Sequence, residues 1–480
     1  MKMRVLWLVI VTALVLPMSA VAIDADWSGS YEATGFTLGE DVTEFDADEG
    51  DWQGFYQSVR IAPTFDLGGD VKLHVGLRLY DQYWFGDHRK QEDGGGVTEW
   101  GQVGTDPQDA DEDFVTERIG LDVGYVELPL FGGQLSVGRQ EANWGHGLTT
   151  ADDRRDRVAY QYDLDDVLGG PLSLLAIYDL RQSIGPDDIS SDGHLFATAA
   201  VGYNLDTEIL WGLLGGYWAG DADKPLNEDP FVLDSVALVG PFMEGPVGPV
   251  DLKFAAHTIF PVDNDRTPLL DINDDGEVGG LQTESGGLWN TFNFATMLRP
   301  SLDFSEVTDL QPQVLVVEAQ GLFVFNGGLV EPGFDTYSSM IGNAGRNTVN
   351  PTNVFNMGGT GYEDDHQMLG AARVNYEIFP GLNAIVAGGV YHFFEYERDV
   401  DNSWAFGLDP GSVIAEDETV RAEITDFFVD VGLQYAVTEQ ATLFANYGWL
   451  GDDTSKMTYA AGAEEGDPRH QVSAGVEVSF

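Results

Sequence analysis

Hydrophobic and polar residues alternate over 470–480: Val472, Ala474, Val476, Val478 and Phe480 fall on one face, Gln471, Ser473, Gly475, Glu477 and Ser479 on the other. Side chains of a strand point alternately to opposite sides, so this is a strand with one apolar and one wet surface. The same period predicts strands near 27–36, 52–66, 71–85, 114–130, 133–141, 155–163, 171–182, 194–205, 207–219, 231–244, 249–260, 287–304, 312–326, 364–379, 382–397, 421–436, 441–450 and 468–480. The connections between them run long and short in turn. The short ones are Asp66 to Asp70, Phe131 to Gly133, 164–170, Asp206, Gly245 to Gly248, 305–311, Pro380 to Gly381 and Thr438 to Gln440; the long ones include 37–51, 86–113, 142–154, 261–286, 327–363, 398–420 and 451–467. Such segregation has no reason in a soluble sandwich. It fits an all-β, transmembrane, antiparallel up-and-down β-barrel of about 18 strands, with tight periplasmic turns and long acidic extracellular loops.

The first residues read differently. Lys2 and Arg4 precede an apolar run from Val5 to Leu16, and Ala20, Val21 and Ala22 supply small residues for cleavage. This predicts a signal peptide over 1–22 and a single barrel domain over 23–480. A membrane helix needs about 20 apolar residues, and this run breaks at Pro17. Aromatic residues gather toward strand ends, as in Tyr83, Trp84 and Phe85, Tyr217 and Trp218, Phe393, Phe394 and Tyr396, and Tyr447 and Trp449, where rings suit headgroup level. These features place the chain in the outer membrane of a Gram-negative bacterium, against lipid and lipopolysaccharide.

Charge narrows the partners. The chain has 80 acidic and 23 basic residues, a formal net charge of -57, which argues against nucleic acid as a partner because phosphate binding needs a basic footprint. With no Cys there is neither a disulfide framework nor a thiolate site. The 11 Trp, 18 Tyr and 27 Phe argue against a disordered acidic chain.

Alternation also assigns faces. Val71, Leu73, Val75, Leu77 and Leu79 are expected to face lipid, which turns Lys72, His74, Arg78 and Tyr80 inward; the same logic puts Ile119, Leu121, Val123 and Tyr125 outside and Arg118 inside. Arg60, Arg181, Lys253, His257, Arg299 and Arg373 are likewise pore-lining candidates, as a charge at mid-membrane on the lipid side costs about 2–4 kcal/mol. Asp122, Asp179, Asp251, Glu318, Glu377, Asp426, Asp430 and Glu477 share that inner face. Basic groups in a pore favour anions; the alternative is a mutually satisfied structural ladder. Ala197, Ala199 and Val201 hint at a flat lipid-facing patch for a homo-oligomer.

From Val137 to Leu148 the sequence reads Val-Gly-Arg-Gln-Glu-Ala-Asn-Trp-Gly-His-Gly-Leu, and Asp152-Asp-Arg-Arg-Asp-Arg157 follows. This Gly-Arg-Gln strand and Gly-rich connection resemble the alginate-export type of 18-stranded outer-membrane porins. The resemblance implies an Arg-lined conduit for anionic solutes, while the heavily acidic loops depart from that pattern. Arg139, Arg154, Arg155 and Arg157 are candidates for a constriction, or else for a loop salt-bridged to Asp152, Asp153 and Asp156.

A second motif sits in a long connection. Asp271, Asn273 and Asp275, the turn at Gly276 and the carbonyl of Glu277 fit the start of a calcium loop, although position twelve is Gln282 and Glu284 comes two residues late. An extracellular Ca2+ site and a solvated acidic loop both stay open. No cofactor is expected, and only His366 beside Asp364 and Asp365 offers a local cluster for catalysis. The expected function is a porin-like channel for passive diffusion of small hydrophilic or ionic solutes, with no enzymatic chemistry. A plugged barrel serving as a surface or adhesion scaffold, or a sheath for a periplasmic partner protein, is the alternative.

Overall fold

Each alternating segment pairs with its sequence neighbour. In the computed structural model, which describes residues 24–39, 52–86, 120–167, 169–181, 193–219, 235–263, 269–272, 278–282, 292–304, 315–328, 366–399, 419–451 and 469–480, these segments form one closed antiparallel sheet of 18 strands. The strands are β1 (Asp24–Gly39), β2 (Trp52–Gly68), β3 (Val71–Gly86), β4 (Gly120–Leu130), β5 (Gly133–Trp144), β6 (Thr150–Val167), β7 (Gly170–Arg181), β8 (Gly193–Asn204), β9 (Ile209–Ala219), β10 (Ser235–Val247) and β11 (Val250–Asp263). After a small separate hairpin, β12 (Leu269–Ile272) and β13 (Val278–Gln282), come β14 (Asn293–Asp303), β15 (Leu315–Phe325), β16 (Gln367–Phe379), β17 (Leu382–Asp399), β18 (Thr419–Thr438), β19 (Ala441–Leu450) and β20 (Arg469–Ser479). That hairpin falls in a connection read from sequence as a loop.

The closing strand does what its pattern implies. β20 pairs with β1 from Ser30 opposite Ser479 to Gly39 opposite His470, so no barrel edge is left open. Phe480 extends the seam, its N–H and C=O bonding Gly29 at 3.0 and 2.8 Å. Gly29 has to be glycine here: a Cβ would lie 2.6 Å from both the Arg60 carbonyl and the Phe480 ring. The tight turns fall where expected, as at Phe131 and Gly132, whose φ values of 49° and 83° are left-handed. The long connections lie largely outside the described residues.

Lipid and lumen faces separate cleanly along most strands. On β18, Phe427, Val429, Val431, Leu433, Tyr435 and Val437 are exposed, while Phe428 and Asp430 between them are buried. Pairing carries the inner face around the wall, from Ser479 to Ser30, to Arg60 and on to Arg78.

Three face assignments need correction. The β2–β3 register shifts between Val59 and Arg60, pairing Arg60 with Arg78 but Val59 with Tyr80, so the extra residue Leu79 reverses parity and Tyr80 shares the register face of Val59 rather than that of Arg60. The β3–β4 register shifts between Gly76 and Leu77, pairing Gly76 with Val123 but Leu77 with Leu121, so the extra residue Asp122 reverses parity. Val123 and Tyr125 therefore join the lumen face, and Tyr125 stacks on His74 with centroids 4.4 Å apart. A bulge has no alternation signature. Ala197 and Ala199 are also inside rather than on a lipid-facing patch: they are buried with Leu214 under Trp144, and it is Phe196 that is exposed.

Candidate functional site

The β5–β6 connection was expected over 142–154 but contracts to 145–149, because the strands continue to Trp144 and from Thr150. It turns on three consecutive left-handed residues, Gly145 (φ 65°), His146 (φ 54°) and Gly147 (φ 85°), of which only His146 pays for that conformation. The tip thus folds inward onto the adjoining wall of β7–β11. Trp144 donates its indole N–H to the Gly240 carbonyl at 2.8 Å and meets Phe242 edge to face at 5.0 Å. His146 Nε2 lies 3.2 Å from the Met243 carbonyl, Thr149 Oγ1 lies 3.2 Å from His257 Nδ1, and Leu148 is wholly buried. Burial pushes the His146 imidazole below its ordinary pKa, against the opposing pull of the Met243 carbonyl and of Glu244, whose Oε2 is 3.8 Å from Nδ1.

This tip rests on an apolar stretch of lumen wall. Leu175, Ile177, Leu195 and Leu238 pack with Ala197, Ala199 and Leu214 beneath Trp144; Trp218, expected at an interfacial girdle, turns inward onto Val236 and Ile259.

Basic residues flank the tip in two groups. On β2–β6, Arg60 stands directly opposite Arg78, and Arg78 Nη2 binds Asp122 Oδ1 at 3.0 Å. Arg154 grips the same carboxylate twice, at 3.1 and 3.2 Å. Two guanidiniums thus share one carboxylate, with Arg60 opposite the first of them. The Nε and Nη2 atoms of Arg60 are buried and meet no hydrogen-bond partner among the described residues. Next to them, Arg157 makes a bidentate pair with fully buried Asp179 at 2.6 and 2.8 Å. The second group lies on β10–β16. Lys253 binds Glu244 at 3.2 Å and sits opposite Arg299, which reaches Gln320 at 3.4 Å; Arg373 binds Glu318 at 2.7 Å.

Other candidates fall elsewhere. His74 bridges Thr64 and Glu127, at 3.2 and 3.1 Å, near the short β2–β3 turn. Lys72 is exposed opposite Glu127. Arg155 lies within hydrogen-bond reach of Thr150, at 3.4 Å. Arg139 takes the alternate face, with exposed Val137, and pairs at 3.8 Å with Asp156, itself 52% exposed; it does not join the Arg157 group. Arg181 ends β7 opposite Gly193, and Arg118 lies outside the described residues. Asp271 sits on β12 opposite Gly280, whereas Asn273, Asp275 and Glu277 lie outside the described residues. His366 stacks on Phe325 at 4.5 Å and accepts the Asn326 N–H at 3.2 Å, so its ring is held structurally; Asp364 and Asp365 lie outside the described residues.

No family model matches the chain, and no curated protein sequence does. Solved structures do. OccAB4 of Acinetobacter baumannii aligns with TM-score 0.51 at 12% identity, over 97% of this chain and 99% of that one. The outer membrane protein OprD of Pseudomonas aeruginosa aligns with TM-score 0.50 at 11% identity, over 95% and 94%. The chain shares their fold. At such identity the likeness extends to the closed 18-stranded barrel and leaves the site to be argued from its own residues.

Proposed function

We propose that the chain is an outer-membrane porin-like channel through which small hydrophilic anions diffuse passively, with the β5–β6 tip as its constriction. The apolar exterior suits lipid, and the inward tip narrows the lumen between two basic groups. One observation carries the anion preference: Arg60, with two buried guanidinium nitrogens that lack a partner among the described residues, stands opposite Arg78, whose nearby carboxylate Asp122 is already taken by Arg78 and Arg154. A buried cation without a partner is expensive, and a passing carboxylate or phosphate would supply what is missing.

Reversal potentials in planar bilayers under a salt gradient test this. Anion preference is expected to fall in Arg60→Gln with Arg78→Gln. Strong cation selectivity that survives neutralising the loop carboxylates would overturn it. A plugged scaffold barrel is favoured instead by the complete burial of lumen-facing Met297, Val324, Gln367 and Tyr391, and it would give no conductance steps. Calcium at Asp271, Asn273, Asp275 and Glu277 belongs to the same proposal; terbium luminescence lost in Asp271→Asn would support it, and an unchanged signal would remove it.

A further inference from the structure

The inner face of the closing seam carries oxygen-bearing side chains that neither the constriction nor the basic groups use. Asp430 on β18 and Gln471 on β20 both stand opposite Gly448 of β19; one side-chain repeat away, Asn446 lies between Gly432 and Ser473. Directly opposite and diagonal neighbours on one sheet face are within side-chain reach, so the four converge on one volume. The two glycines leave room beside them.

That volume is shut off from water. Asp430, Asn446, Gln471 and Ser473 are 0%, 5%, 2% and 1% exposed. Phe428 and Phe444 occupy the same inner face of β18 and β19, and Phe36 of β1 stands opposite Ser473; all three are buried. Within this apolar surround, Asn446 Oδ1 and Ser473 Oγ have no hydrogen-bond partner among the described residues. Asp430 and Gln471 have further contacts of their own, so Asn446 and Ser473 bear the weight of the argument. Buried amide oxygens and hydroxyls are rarely left unpaired, since that forfeits their solvation for nothing.

We propose that Asn446, Ser473, Asp430 and Gln471 bind one small, hard, singly charged cation of the Na+ class. The donors are all oxygen, which selects an alkali or alkaline-earth ion over softer metals. A single carboxylate matches a single positive charge, where protein Ca2+ sites usually gather several. The same carboxylate opposes an anion. Bound there, the ion ties β18, β19 and β20 together beside the β20–β1 seam and stabilises closure rather than conduction.

Thermal loss of the folded barrel, followed by tryptophan fluorescence on the purified full-length chain in detergent, tests this in NaCl and choline chloride at equal ionic strength. Na+ is expected to raise the midpoint saturably where choline does not, and Ser473→Ala to raise the half-saturating Na+ concentration about tenfold, as for loss of one contact to a charge. Ser479→Ala, on the same face but outside the set, should leave that concentration unchanged. Equal midpoints in the two salts would overturn the proposal, with Asn446 and Ser473 then satisfying each other through a turned amide. An equal loss of stability in both salts for Ser473→Ala would overturn it too. Should Ser473→Ala fail to fold, the wild-type comparison of salts still decides.

Discussion

Replacing Trp144 by Ala removes the largest anchor of the β5–β6 tip. The indole contributes a 2.8 Å hydrogen bond to Gly240, an edge-to-face contact with Phe242 and the cover over Ala197, Ala199 and Leu214. Large-to-small changes of this kind cost about 3–5 kcal/mol, hydrogen bond included, if the site does not collapse. At about 1.4 kcal/mol per decade, the released population of the tip should rise by about 10²-fold or more relative to the docked one. His146 and Thr149 keep their own contacts, so release should be intermittent. The indole takes no part in strand pairing, and the barrel should fold normally. Single-channel recordings of the reconstituted variant should then show larger or fluctuating conductance with the wild-type ion preference. An amplitude distribution and open-channel noise identical to wild type, in protein shown to be folded, would refute the constriction.

Arg157→Leu leaves Asp179 buried without its bidentate partner and should cost about 3–5 kcal/mol, read as earlier thermal unfolding; Arg157→Leu with Asp179→Leu should recover most of it. His146 offers a pH test. Its folded pKa is depressed, so the unfolded or undocked chain binds more protons below the ordinary value of about 6.5; docking is complete above that pH and weakens as pH falls beneath it. Conductance noise should therefore grow between neutral and mildly acidic pH, and His146→Gln should abolish that growth; an unaltered pH response in the variant would exclude His146. Gly29→Ala should weaken the seam more than Gly215→Ala, because its Cβ meets the Arg60 backbone whereas the latter meets nothing within 4 Å; equal heat resistance of the two variants would contradict this.

Period-two alternation and the rhythm of long and short connections were enough to place all 18 barrel strands, since each strand separates lipid from lumen and writes that division into neighbouring residues. The same signal gave the inner faces of Arg60, Arg78, Asp179, Lys253 and Arg373. It failed at Tyr80 and Tyr125, where one extra residue in β3 and one in β4 reverse the faces, and at Ala197 and Ala199, whose small apolar side chains suit either lipid or a covered lumen wall. The broken alternation near Gly145 marked an unusual connection but not its direction.

Local pattern alone dictates the barrel, its turns and the polarity of most of its inner wall. Where the tip docks, which arginine shares Asp122, and which oxygens meet at Asn446 and Ser473 depended on residues as far apart as Trp144 and Gly240. Such contacts are set by strand register and by the curvature that closes the sheet, neither of which has a local signature in the chain.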